Sequence, residues 1–321
     1  MPTVEQSALK PVWLLTDGNA GNLRQAEALA AAMGVAAPRL PALAPRAPWR
    51  WLAPRRLPGA RQACGPALAA ELARGAPGLA IGCGRQGALA TRLAGEHGAR
   101  TVQILDPRIG SRHWDVVVVP AHDRLRGGNV VTLLGSLNPV DEAWLARARA
   151  QFAALGALPR PRTALLVGGP TGDAPWTPAM LDAALALLRA RILAEGGSLL
   201  ATTSRRTPVA VATTLHDAMR GLPGVLWDGA GANPYPGLLA WADRIVCTPD
   251  SVNMLSEACA TAAPVHVIAP GSARGRVGAF VQSLRELRRI RAMDGALEAF
   301  AVQPLRETAR VAAEVRQRLQ A

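Results

Sequence analysis

The sequence predicts an α/β protein of two domains, each built on a parallel sheet. Three observations carry this. Short apolar runs alternate with helix-length segments along nearly all of the 321 residues. Most of those runs end in a turn rich in glycine, proline or hydroxyl groups. The alternation is interrupted at 156–161, where a glycine and two prolines mark a boundary between one domain over 1–157 and a second over 158–300, with a helical segment over 301–321.

Taken in order, residues 12–16 read as a strand that ends in Asp17-Gly18-Asn19-Ala20-Gly21 and leads to a helix over 23–33. Residues 36–61 are too proline-rich for a long helix and read as a basic loop. Trp49, Trp51 and their neighbouring arginines could touch a membrane surface or an acceptor, or the rings could pack on the domain. A helix over 67–73 and a strand over 79–81 lead into Gly82-Cys83-Gly84-Arg85-Gln86-Gly87, with Asp106 downstream. This matches the dinucleotide fingerprint G-x-G-x-x-G formally, but that motif normally occupies the first strand-to-helix turn of its domain, and here an earlier unit precedes it. The glycines still allow close backbone approach, which would let Arg85 face a ligand.

Strands over 101–105, 114–119 and 129–134 follow, ending in Asp106-Pro107-Arg108, in Pro120-Ala121-His122-Asp123 and in Gly135. Open α/β sheets place ligands at such strand ends, so His122 and Asp123 are candidates for acid/base work or an ordinary surface pair. A helix spans 140–155.

The second series runs through strands over 163–167, 198–201, 225–227, 244–247 and 265–268, and helices over 178–194, after Pro208, over 276–291 and over 305–319. Gly168-Gly169 would open the first turn to a ligand. Thr202-Thr203-Ser204-Arg205-Arg206 combines hydroxyls and guanidiniums as a phosphate clamp would, or as a capped turn with solvated arginines. Thr248-Pro249-Asp250-Ser251-Val252-Asn253 reads as a strand end, a cap and a helix start, where an anion could sit over Ser251, Val252 and Asn253. The plain alternative is that Asp250 or Ser251 only caps the helix and that Glu257 is solvated.

Composition narrows the class of partner. Half the residues are hydrophobic and 18% charged, as in a globular protein. No apolar run approaches the ~20 residues of a membrane span, and the N-terminus is polar where a leader would be apolar, so a soluble cytoplasmic protein is expected. The net charge of +13 comes almost wholly from arginine, Lys10 being the only lysine. It favours phosphorylated ligands or anionic membrane faces; 4% aromatic residues and no zinc-finger or RRM signature argue against nucleic acid. Cys64, Cys83, Cys247 and Cys259 are scattered as core thiols, with neither metal nor disulfide spacing.

Together, Thr16-Asp17-Gly18, Gly82-Cys83-Gly84-Arg85, Asp106-Pro107-Arg108, Pro120-Ala121-His122-Asp123, Thr202-Thr203-Ser204-Arg205-Arg206-Thr207-Pro208, Asp228-Gly229, Asn233-Pro234-Tyr235 and the stretch from Thr248 to Ala258 resemble the ELM1 family over about residues 12–270. That family is named for a plant mitochondrial-fission factor, and its bacterial members are regarded as glycosyltransferases of the GT-B type. The resemblance implies two Rossmann-like domains facing across a cleft, with the C-terminal helix returning to the first. It implies a nucleotide-sugar donor on the second domain, with Ser251, Val252, Asn253 and Arg205 on its diphosphate and Glu257 on the ribose; Gly168, Gly169, Thr203, Ser204 and Asp250, read from their turns, complete the expected donor site. The acceptor would lie on the first domain near Gly18, Asn19, Arg85, Asp106 and Arg108, and catalysis would fall to Asp17, His122 or Asp123. Many relatives carry a histidine near position 22; Asn22 cannot act as a base, which favours Asp17. No metal or cofactor is expected beyond the donor, and the acceptor would be a cell-surface or lipid-linked glycan at the inner membrane face. A non-catalytic recruitment protein and a nucleotide-sugar epimerase or hydrolase are the alternatives.

Overall fold

A computed structural model describes residues 10–229 and 231–320. The N-terminal stretch read above for a leader lies largely outside these residues. The chain forms two compact units, one running to Asn138 and resuming at Glu307, the other Pro139–Arg306.

In the first unit the elements are β1 (Val12–Thr16), α1 (Ala20–Ala32), α2 (Trp49–Leu52), α3 (Pro66–Arg74), β2 (Leu79–Cys83), α4 (Gly84–Glu96), β3 (Arg100–Ile104), β4 (Val116–Pro120) and β5 (Val130–Leu133). The five strands pair in parallel in the order β1-β2-β3-β4-β5. Both faces are covered, which is why β4 is the unbroken buried run Val116-Val117-Val118-Val119 rather than an alternating one. Leu14, Ile81, Val102 and Val118 pack with α1 on one face, while Trp13, Leu15 and Ala80 pack with α3 and α4 on the other. Beyond the outer side of β1, Arg39 bridges Trp13 in parallel. The chain therefore visits one side of β1, then crosses to β2 on its other side. Its connections diverge between β1 and β2, the kind of point where open α/β sheets place their ligands.

The second unit contains α5 (Glu142–Gln151), β6 (Arg162–Val167), α6 (Pro178–Glu195), β7 (Ser198–Thr203), α7 (Val209–Met219), β8 (Gly224–Trp227), α8 (Tyr235–Trp241), β9 (Arg244–Cys247), α9 (Val252–Cys259), β10 (Val265–Val267), α10 (Gly275–Glu286) and β11 (Ile290–Ala292). Its parallel sheet has the order β11-β10-β9-β6-β7-β8. The direction of winding reverses between β6 and β9. The final helix, α11 (Thr308–Gln320), belongs to the first unit, where Val311, Ala312 and Val315 enter the α1 face and Arg316 donates to the Ala32 carbonyl at 2.9 Å.

Three readings of the sequence need correction. The break between units falls after Asn138 rather than at 157, because α5 and the following turn pack on α8: Arg149 donates to the Ala240 carbonyl at 2.9 Å, and Phe152 lies so close to Gly237 that a Cβ there would be 2.6 Å from it. The helix expected to reach 291 stops at Glu286; Arg288 takes a φ of 53°, and the edge strand β11 follows. The 36–61 loop contains the short helix α2 and is pinned to α4, with Gln86 donating to the Arg50 carbonyl at 2.8 Å and Arg92 to that of Pro54 at 2.6 Å.

Candidate functional site

The densest chemistry lies at the β6–β9 reversal. Val167 ends β6, and the next two residues must be glycine because the space beside them is filled. A Cβ on residue 168 would lie 2.0 Å from Asp250 Oδ2, and one on residue 169 would lie 2.3 Å from the Arg206 carbonyl oxygen. The sequence left that space for a ligand; the protein's own groups occupy it. Asp250 follows β9 with its side chain fully buried. Its carboxylate accepts from the Gly169 N–H at 3.0 Å, from Trp176 Nε1 at 2.8 Å and from Arg206 at 3.4 Å. A buried carboxylate is sustained by such donors. Asp250 therefore joins three turns to one another instead of facing outward.

Thr248 reinforces the join by accepting the Gly168 N–H at 2.8 Å. At the end of β7, Thr203 is buried, and the Ser204 N–H that follows donates to the carbonyl of Val167 at 2.9 Å. Thr207 is the knot of that turn: its hydroxyl donates to the Gly168 carbonyl at 2.7 Å and accepts the Ser204 N–H at 2.8 Å. Arg205 projects from it, exposed, with no hydrogen bond or ion pair to another described residue. Ser251 is the N-cap of α9 and accepts the Met254 N–H at 3.3 Å, and Val252 and Asn253, both half-buried, begin the helix. N–H groups of a helix's first turn have no intrahelical carbonyl to reach and favour an anion.

Glu257 is neither solvated nor at the surface. It is 2% exposed, and Tyr235 donates its hydroxyl hydrogen to Oε2 at 2.5 Å. The ribose role implied by resemblance asks for an open carboxylate; in the structure this one ties α9 to α8.

In the first unit, Asp17 sits exposed at the end of β1. Its oxygens accept from the Asn19 backbone at 3.1 Å, the Asn19 side chain at 2.7 Å and the Asn22 side chain at 2.9 Å. Gly84, at the end of β2, has a φ of +75°, and a Cβ there would meet Asn22 Nδ2 at 2.7 Å, so the β1 and β2 turns touch. The other two glycines of the fingerprint also serve internal packing: a Cβ on residue 87 would lie 2.3 Å from the Leu15 carbonyl oxygen, and one on residue 82 would lie 2.7 Å from Gln103 Oε1. Gly18, with a φ of 78°, has open space around it. Arg85 is exposed but reaches the Trp51 carbonyl at 3.5 Å.

His122 and Asp123 lie in a single turn after β4, and Asp106 follows β3, where it accepts the Arg108 N–H at 2.7 Å. The sheet order puts three strand spacings, about 14 Å, between the ends of β1 and β4. Asp17 and the His122–Asp123 pair thus belong to different places along one edge and do not converge. Among the described residues, no group of three or more His, Cys, Asp or Glu could hold a metal ion, and no helix is long and apolar enough to cross a membrane.

Residues 20–319 match the profile of the family described as Mitochondrial fission ELM1. The chain belongs to that family. The Arabidopsis thaliana mitochondrial fission protein ELM1 is 31% identical to it over 277 residues; the match covers 76% of this chain and 64% of the plant protein, so the chain spans under two thirds of that relative's length. In fold, this ELM1-family chain is similar to the UDP-GlcNAc 2-epimerase of Methanocaldococcus jannaschii, at TM-score 0.58 and 12% identity, with 97% and 100% of the two chains covered. It is similar also to MnaA of S. aureus, solved with UDP, at TM-score 0.51 and 10% identity, with 97% of each covered. These likenesses concern the fold, an α/β GT-B-like architecture with two parallel sheets.

Three residues of the candidate site were given no role by the sequence. Trp176 had a signal, an indole between a proline and a threonine in a polar turn, since a buried indole N–H needs an acceptor. Thr207 and Thr248 had only their places beside prolines. Nothing in the sequence told which hydroxyl faced inward.

Proposed function

We propose that the chain is a metal-independent glycosyltransferase that moves a sugar from a nucleotide-sugar donor to a glycan or lipid-linked acceptor in the cytoplasm. The observation that carries this is the sheet edge at the β6–β9 reversal. There the capped N-terminus of α9 and the guanidinium of Arg205, without a partner among the described residues, lie at one sheet edge beside the buried Asp250 network. A diphosphate suits that pair. Backbone N–H groups and the helix dipole take one phosphate, and Arg205 takes the other. The UDP in the S. aureus MnaA structure supports the ligand class.

Transfer then requires that an acceptor hydroxyl lose its proton as its oxygen bonds to the sugar C1, while the C1–O bond to the diphosphate breaks and the electron pair leaves with the nucleotide. The α9 terminus and Arg205 stabilise the departing charge. Asp17, exposed and oriented by Asn19 and Asn22, is the base in this reading. Glu257 and Asp250 position the donor site from within.

The test is thermal and chemical denaturation with UDP, GDP, CMP and ADP sugars. A cognate donor at a hundredfold excess over its Kd should add about 2.7 kcal/mol. Stabilisation by none of them would overturn the reading in favour of a non-catalytic binding platform. Conversion of a bound donor with no acceptor present would replace transfer by epimerisation or hydrolysis.

A further inference from the structure

Between Glu27 and Glu71 the chain carries six arginines and no acidic residue. The same segment holds Leu40, Trp51, Leu52 and Leu57, four of the nine large hydrophobic side chains that stand exposed among the described residues. Trp51 is 60% exposed. An apolar group left in water this way forfeits burial that the neighbouring core could have provided.

The exposure is not that of a loose loop. Ala53, Ala60, Ala63 and Cys64 are buried in the core beneath α3 and α4, with Trp49 packed against them. Arg85, Gln86 and Arg92 of α4 each donate to a backbone carbonyl of the segment. The inner side chains anchor it, and Trp51, Leu52 and Leu57 are what the anchoring presents. Beside them lies a hollow of 660 Å³ lined by Arg46, Trp49, Arg56, Leu57, Arg61 and Gln62. Arg56 is spoken for, 2.5 Å from Glu96, and Arg50 lies 4.8 Å over the ring of Trp51. Arg55 and Arg61 have no acidic partner among the described residues.

We infer that residues 40–61 form a docking surface for an anionic lipid bilayer. Indole and leucine side chains enter the headgroup boundary while guanidiniums reach lipid phosphates, the combination that a monotopic contact needs. A nucleic acid would draw on the arginines and leave Leu52 and Leu57 without purpose; an anionic bilayer uses both. The inference stands independently of the nucleotide reading.

Co-sedimentation of the full chain with vesicles tests it. The protein should bind phosphatidylcholine vesicles that contain phosphatidylglycerol and not those of phosphatidylcholine alone. At roughly fivefold per cationic side chain, R50Q/R55Q/R61Q should weaken binding about a hundredfold. W51S/L57S, with charge unchanged, should weaken it about tenfold. R285Q/R288Q/R291Q, which removes an exposed basic cluster in the second unit, should leave it unchanged. All the substituted side chains are at least 38% exposed or lie in the exposed class, and unaltered melting temperatures would show that the fold is kept. The inference fails if the first two variants bind as the parent does, or if the third loses binding equally. It fails also if W51S/L57S binds normally and a short DNA duplex displaces the vesicles, which would make the segment a general polyanion surface.

Discussion

Gly168 and Asp250 compete for one volume, and the carboxylate holds it: a Cβ on residue 168 would lie 2.0 Å from Asp250 Oδ2 and 2.5 Å from its Cγ. The neighbour that would have to give is a buried anion bonded to Gly169, Trp176 and Arg206. Gly168→Ala should therefore cost about 3 kcal/mol in urea unfolding, from overpacking together with lost hydrogen bonds. Gly172→Ala, in the same turn with nothing within 4 Å, should change stability by no more than about 0.5 kcal/mol. Equal effects would mean that the carboxylate moves freely.

Arg205 and Arg206 are adjacent and should fail differently. Arg205 has no partner among the described residues, so Arg205→Ala should leave the melting temperature in place and weaken nucleoside diphosphate binding about tenfold to a hundredfold, the loss of one charge-assisted contact. Arg206 reaches the buried Asp250, and Arg206→Ala should lower stability as well as affinity. Calorimetric titration and thermal melts on both variants separate the two roles.

These neighbours show what the sequence could and could not express. The two strand series, their turns and the helix start at Val252 were legible because apolar runs and caps are local signals, and Ser251 does cap α9. The split after Asn138 was not, since it depends on α5 packing against α8 about ninety residues away. Nor was the inward turn of Asp250 and Glu257. A carboxylate at a helix start reads the same whether it faces water or accepts from an indole seventy-four residues earlier. Likewise, the sequence offered Asp17 and His122 as alternative bases with nothing to place one against the other; the strand order puts β2 and β3 between them.

Asp17→Asn preserves shape and removes the charge. If Asp17 takes the acceptor proton, the variant should keep donor affinity within about twofold and lose about 10²–10⁴ in kcat. His122→Gln, at the end of β4, should lose far less. A reversed order of effects, measured in a donor-consumption assay, would move the base to the β4 turn.

Acid should weaken the fold in two steps. His266 is 2% exposed; burial holds its pKa below the ordinary 6.5, opposed by Asp294, reinforced by Arg244 and Arg291, and opposed again by the backbone of Glu298. The unfolded chain thus takes up this proton first as pH falls, so stability begins to drop as pH passes down through 6.5 and continues to drop toward the folded pKa. Glu195 behaves at lower pH. Its hydrogen bond to Arg244, 2.6 Å away, chiefly lowers its pKa below 4.5, so its contribution is complete above 4.5 and disappears as pH falls through the folded value. His266→Leu should flatten the upper step, leaving the slope from His113, whose pKa is also lowered by burial and by Arg92 and Arg112. Glu195→Gln should remove the lower step and cost about 3 kcal/mol at neutral pH, because the Arg244 side chain, 8% exposed, would lose its counter-ion. Urea unfolding of the three proteins across the acid range measures both steps. A His266→Leu profile that matched the parent's would mean that the imidazole is protonated inside the folded sheet.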